Sequence, residues 1–260
     1  MTIWNLATLQ AETTLDHGSQ VWGVVALPDE RLVTAESDGK VRIWDLRTKK
    51  AEMSFAQPSG LLERIVSVGN GKIAGGYSGG SIAVWNIATG AIEKTLRVDD
   101  RWILRLAAMR DGRLATGDQD GTIRIWSLST GQPELMVRQG KVGSVNPVTA
   151  LIELEDSRLA FSTADSKEIT VWNPASGKNE VTLPVTLGQR VTELAQLAGG
   201  RLAVLETENL LTVWNPKTGK RDAAFEVGRD PWATGAIAQL PDGRIAVGIG
   251  DGTIELWKLH

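Results

Sequence analysis

Few of the side chains that titrate, ligate or attack converge in this 260-residue sequence. There are two histidines, His17 and His260, and no cysteine. A Ser-His-Asp triad or a transition-metal site would have to be built around His17, because such sites draw on several imidazoles, thiolates or carboxylates in one place. The run Asp118-Gln119-Asp120-Gly121 has the start of a calcium loop, but the further acidic ligands and the closing glutamate are missing, so it reads as a turn. Paired carboxylates could hydrolyse glycosides, yet here each Asp stands directly before a Gly at a hairpin position. No glycine-rich phosphate loop opens a helical pattern. The sequence therefore predicts no catalytic residue, no metal site and no cofactor. A hydrolase or small-ligand-binding role is the alternative to a non-catalytic one.

Composition narrows the partners. The net charge is -3, with 42% hydrophobic and 23% charged residues, which supplies no general attraction to nucleic acid or to an anionic membrane. No run approaches the length of about eighteen apolar residues that a membrane span needs, and MTIWNLATLQ lacks a basic patch followed by an apolar stretch. The expectation is a cytoplasmic protein with no nucleic-acid and no membrane partner. The anomaly is tryptophan: ten Trp stand against three Phe and one Tyr, so position has selected the aromatic residue.

That selection is periodic. Trp4, Trp44, Trp85, Trp126, Trp172, Trp214 and Trp257 recur at intervals of 40 to 46 residues. Each closes a run that alternates apolar and other residues, such as KVRIWDL, SIAVWNI and TIRIWSL. Alternation of period two predicts strands. A second short strand led by Arg31, Lys72, Arg113, Arg158, Arg201 or Arg244 precedes each complete copy. Asp38-Gly39, Gly79-Gly80, Asp120-Gly121 or Asp251-Gly252 forms the hairpin between them in four repeats. In the fourth and fifth repeats Ser166-Lys167-Glu168 and Glu208-Asn209 take that place, and longer or differently shaped turns are expected. An apolar strand before each basic-led one, and a polar strand after each Trp turn, bring the count to four strands per repeat, with almost no helix.

These residues resemble the WD-repeat family over essentially the whole chain: the strand order, the Pro-Asp-Gly type turns, the Asp-Gly hairpins and the IWD-like endings all match. Only Trp44-Asp45 spells the eponymous dipeptide; the other copies read Trp-Asn, Trp-Ser or Trp-Lys. The resemblance implies a buried hydrogen-bond network of His17, Thr34, Asp38 and Trp44, which the first repeat alone has the residues to assemble. It also implies a partner-binding face at the hairpins between the second and third strands, near a central channel.

Four-stranded sheets with two apolar faces must stack, and stacked twisted sheets close into a propeller. Counting gives an all-β fold: a closed six-bladed β-propeller of four-stranded antiparallel blades, one domain spanning 1–260. The last blade lacks a fourth strand, and residues 11–17 are expected to complete it. Residues 1–6 then form a surplus Trp strand, read first as a free stub on a monomer, with a cut from a longer repeat array or pairing with another copy as the alternatives.

Carried over by position, the second residue of each inner strand is Trp22, Glu63, Leu104, Thr149, Thr192 or Gly235, and Trp102 and Trp232 stand just before two of these strands. Trp22, Glu63, Trp102, Leu104, Thr149, Thr192 and Trp232 are thus the candidate contacts for a protein or peptide partner, since large aromatics at a rim are frequent anchors. Acidic residues collect at the hairpin end, among them Glu36, Asp38, Asp118 and Glu206, and basic residues at the other. That polarity predicts a basic or amphipathic peptide as partner, while local pairing of the basic residues with turn carboxylates is the competing account. The stretched fourth repeat places its extra length at Arg138 to Pro147, a candidate lip of the binding site.

Overall fold

The structure, a computed structural model, describes residues 1–56, 58, 60–98, 100–140, 144–228, 235–249 and 252–259. Five four-stranded antiparallel meanders follow one another along the chain. The first runs through β3 (Val21–Ala26), β4 (Arg31–Glu36), β5 (Lys40–Asp45) and β6 (Lys50–Ala56), and the second through β7 (Leu62–Gly69), β8 (Lys72–Tyr77), β9 (Ser81–Asn86) and β10 (Ile92–Arg97). Next come β11 (Ile103–Ala108), β12 (Arg113–Asp118), β13 (Thr122–Ser127) and β14 (Pro133–Arg138), then β15 (Val148–Glu153), β16 (Leu159–Thr163), β17 (Glu168–Asn173) and β18 (Lys178–Pro184). The fifth holds β19 (Val191–Leu197), β20 (Arg201–Glu206), β21 (Leu210–Asn215) and β22 (Lys220–Glu226). The sixth copy shows three strands among the described residues, β23 (Ile237–Gln239), β24 (Ile245–Gly248) and β25 (Ile254–Trp257). One 3-10 turn, Thr207–Asn209, is the sole helical element among the described residues, and no helix is long and apolar enough to cross a membrane.

The N-terminus departs from the expected arrangement. β1 (Thr2–Asn5) and β2 (Gln10–Thr14) pair with each other as a separate two-stranded sheet, whereas β25 is paired only with β24 among the described strands. The expected completion of the last blade by residues 11–17 is therefore not what these pairings show. The reason is local. β1 carries the full Trp-strand pattern, and its register with β2 has the same irregularity immediately before the Trp as β5–β6 and β21–β22. Residue 5 also closes the turn as its counterparts do. Asn5 Oδ1 accepts from the backbone N–H of Ala7 and Thr8, as Asp45 does from Arg47 and Thr48 and Asn215 from Lys217 and Thr218. What this position needs is a side-chain oxygen acceptor, which explains why Asn replaces Asp after so many of the tryptophans.

Two compact units divide the chain: residues 1–108, 112–114 and 126–132, and residues 109–111, 115–125 and 133–260. In the first, Trp85 is fully buried against Phe55 and Tyr77, in a cluster with Ile43, Leu62 and Ile65. A methyl group at Gly23 would lie 2.6 Å from the Ile65 side chain, so glycine is what lets β3 approach β7. In the second, Trp214 packs with Leu194, Leu202 and Val204, and Trp257 lies against a further cluster around Leu211 and Ile245. Burial of each such large side chain stabilises by roughly 1.5 to 3 kcal/mol.

Turn shapes follow composition. The hairpin after β20 has the same three-residue length as the one after β4, but Glu208 and Asn209 both take left-handed backbone, at φ 58° and 63°, where the first repeat uses Gly39. The turn after β16 is one residue longer. At Gly121 (φ 76°) a side chain would meet the carbonyl oxygens of Gln139 and Asn146 at 2.5 and 2.8 Å, so the long connection of the fourth repeat is laid directly against this glycine.

Candidate protein-binding face

The candidate contacts divide by strand. Trp22 is the second residue of β3 and is 40% exposed; Trp102 immediately precedes β11 and is 45% exposed. By contrast Trp44, Trp85, Trp126, Trp172 and Trp214 are buried. Glu63 on β7 and Leu104 on β11 are half-buried at the position equivalent to Trp22. Burial pushes the Glu63 carboxyl upward, and the charge of Arg105 opposes it. Thr149 and Thr192 occupy the same position on β15 and β19, but their hydroxyls donate to the carbonyls of Ser162 and Leu205 at 3.4 and 3.1 Å, which ties them to their own sheets. Trp232 lies outside the described residues, as do His260 and Asp251. Leu61 was not singled out in the sequence; it precedes β7 as Trp102 precedes β11 and is 52% exposed, and that shared position was the available signal.

The first repeat holds a buried polar network, and its acid is Glu36 instead of Asp38. Glu36 accepts from His17 Nδ1 at 2.9 Å, Thr34 Oγ1 at 3.0 Å, Ser19 Oγ at 2.8 Å and the Arg42 guanidinium. Trp44 Nε1 donates to Thr34 Oγ1 at 2.9 Å. Asp38 stands outside in the turn, paired with Arg42 at 2.7 Å. The correction has a geometric cause: Glu36 is the last residue of β4, facing the core, while Asp38 sits in the hairpin. The carboxylate lies between the histidine and the serine, so the imidazole is bonded to Glu36 instead of Ser19 Oγ and the group is not wired as a nucleophilic triad. Nor is this repeat alone in anchoring its indole. Trp214 donates to Thr212, which donates to Glu206, and Trp257 donates to Glu255 at 3.0 Å. In the second and fourth repeats the indole N–H groups of Trp85 and Trp172 are buried with no partner among the described residues.

Against known proteins, residues 9–45 and 87–127 match the family model described as WD40: WD domain, G-beta repeat. The fold is similar to that of a chain in the Crystal Structure of Mitotic Checkpoint Complex, with a TM-score of 0.82 and 21% identity, covering 99% of this chain and 80% of that one. The fold is a β-propeller, and two segments of the chain are similar to WD40 repeats. No curated protein matches its sequence. Its six blades are the six sheets above, five of them four-stranded and the sixth three-stranded among the described residues.

Within the propeller's blades, charge is neutralised locally. Arg31 pairs with Asp29 at 2.6 Å, Arg158 with Asp156 at 2.9 Å and Arg244 with Asp242 at 2.7 Å, each across the turn that leads into a basic-led strand. At the hairpin ends Arg42 engages Glu36 and Asp38, and Arg124 engages Asp118 at 2.5 Å. Asp118 also accepts from the backbone N–H of Asp120 and Thr122, which is the turn reading of that segment. This pairing favours the local account of the charge pattern over a disk polarised between its ends. In the lip at Arg138 to Pro147, Lys141 to Gly143 lie outside the described residues.

Proposed function

We propose that this propeller is a non-catalytic platform for a protein or peptide partner, which docks at the hairpin ends of the blades. The observation that carries the reading is the exposure of Trp22 and Trp102 beside five buried tryptophans of the repeat. An indole fixed on a strand, as at Trp22, or immediately before one, as at Trp102, and left open to water offers a large apolar area, the character of an interaction anchor. WD-repeat propellers commonly mediate protein-protein interactions, and the similar chain belongs to a structure of a protein complex. His17, the one described imidazole, is committed to Glu36 within the fold.

The test is peptide selection. Libraries of extended peptides displayed on phage are selected on the intact chain, and the enriched clones are measured against W22A, W102A and W4A. Binders that lose affinity with Trp22→Ala and Trp102→Ala but keep it with Trp4→Ala support the platform. Failure to enrich, or enrichment indifferent to both indoles, removes it.

A further inference from the structure

The position that holds Glu36, Asp118 and Glu206 in three blades is Thr163 in the fourth. In those three the carboxylate accepts from two or more donors. Thr163 is 1% exposed, and its hydroxyl has no hydrogen-bond partner among the described residues. It lines a cleft of about 430 Å³ together with Gln139, Asn146, Asp165 and Ser166, and the side-chain oxygen of Gln139 is likewise buried without a partner. Other polar groups in the wall are already used. The Asn146 side-chain oxygen accepts from Asp165 N–H at 2.9 Å, the Gln139 amide donates to Thr170 at 2.8 Å, and Ser166 Oγ donates to the Glu168 carbonyl. The exposed carboxylate of Asp165 has no ion pair among the described residues. What remains open in the cleft is therefore acceptor-rich: an amide oxygen, a hydroxyl oxygen and a carboxylate. Two of these are withdrawn from water, and a buried acceptor left without a donor costs about 1 to 3 kcal/mol.

We propose that this cleft takes the guanidinium of an arginine side chain on the partner. A planar cation with five fixed donors can satisfy the Gln139 oxygen, the Thr163 hydroxyl and the Asp165 carboxylate together, which a single neutral donor cannot. Gln139 and Asn146, from the long connection of the fourth repeat, form one wall with their carbonyl oxygens against Gly121, so the cleft belongs to this blade and not to the repeat in general. The inference rests on the platform reading and gives its partner a chemical identity.

The probe is N-acetyl-arginine-amide, titrated into the intact chain and followed by amide NMR, with N-acetyl-citrulline-amide as the uncharged control of the same shape. The expected result is saturable shifts at Gln139, Asn146 and Asp165 with the arginine compound alone. Thr163→Val, which keeps the volume and removes the orphan hydroxyl, and Asp165→Asn each weaken binding about tenfold, in line with the loss of one charge-assisted hydrogen bond; unchanged melting curves show that both variants remain folded. No saturable shift, or equal shifts with citrulline, overturns the proposal. Selected peptides that need Trp22 and Trp102 yet bind T163V and D165N at full strength overturn it too, while leaving the platform standing. Arginine-amide binding with no peptide that depends on the two indoles upholds the cleft and removes the platform.

Discussion

The imidazole of His17 meets the carboxylate of Glu36 at 2.9 Å, nineteen residues along the chain, and its ring lies 4.5 Å from that of Trp44. The pair ties the segment before β3 to the far end of β4, and through Thr34 to the indole that closes β5. Glu36 has no exposed side-chain surface, whereas Asp38, two residues on, retains 29%. Glu36→Gln removes the charge that accepts from His17, Ser19, Thr34 and Arg42, and is expected to lower stability by about 3 kcal/mol, the scale for breaking a buried ion pair on one side. Asp38→Asn breaks a partly exposed pair and is expected to cost under about 1 kcal/mol. Urea midpoints of the two variants decide between the acids; equal losses would remove Glu36 as the centre of the network.

The same acids set the response to pH. Burial by itself raises the Glu36 carboxyl, but its bonds from His17, Ser19, Arg42 and Thr34 outweigh that and hold it below the ordinary glutamate value. The Arg47 side chain and the Thr48 N–H hold Asp45 down to about 2. A carboxyl lowered by folding stabilises fully above its unfolded pKa and loses that contribution as pH falls through the folded one. Stability is thus expected to stay level from neutral pH to about 5 and to fall between about 4.5 and 2. Denaturation at a series of pH values checks this. Asp45→Asn, which keeps the oxygen that caps the turn, flattens the lowest part of the fall, and a midpoint that rises on acidification would contradict the assignment.

Much of this architecture was legible because it follows from periodicities. The alternation around each Trp, the Asp-Gly hairpins and the basic residue leading each second strand gave the strands and their order, and the pairings agree. What was not legible depends on which of two similar groups faces inward. Glu36 and Asp38 are both acids near one hairpin, and only the strand end separates them. Residues 11–17 fit beside either Trp strand, and β1 is the nearer. At the candidate face, Trp22 and Trp102 stood out as tryptophans outside the repeat, but Leu61 did not stand out among other leucines. Nor could Thr163 be singled out, because its significance is the carboxylate missing from its position.

Tyr77 occupies that position in the second blade, fully buried, with a hydroxyl that has no partner among the described residues. Burial pushes its ionisation far up. Replacing a buried polar group that makes no hydrogen bond with its apolar counterpart removes a desolvation cost without opening a cavity. Tyr77→Phe is therefore expected to leave the melting temperature unchanged or to raise stability by up to about 1 kcal/mol. Trp44→Phe, which forfeits the bond to Thr34 as well as ring volume, is expected to lower it. A Tyr77→Phe variant that loses more than Trp44→Phe would show that the hydroxyl is satisfied.

The N-terminal hairpin is held by a leucine and not by its tryptophan. Trp4 is 47% exposed, because β1 and β2 have no inner strands of their own to cover it. Leu15, just past β2, is 1% exposed in a cluster with Leu32 and Trp44, with Met1 and Leu46 packed against it. The Met1 ammonium donates to the Leu15 carbonyl at 2.9 Å, and Leu15 N–H donates back to the Met1 carbonyl at 2.8 Å. Leu15→Ala opens a cavity beside Trp44 and is expected to cost about 2 to 5 kcal/mol, with a loss of protection from hydrogen exchange in β1 and β2. Trp4→Ala should lie within about 1 kcal/mol of the parent, as expected for a side chain already half in water. If Trp4→Ala proves the costlier change, the indole is covered in solution by a surface that the described residues do not supply, and a second copy of the chain, visible as a doubled mass in light scattering, becomes the partner to look for.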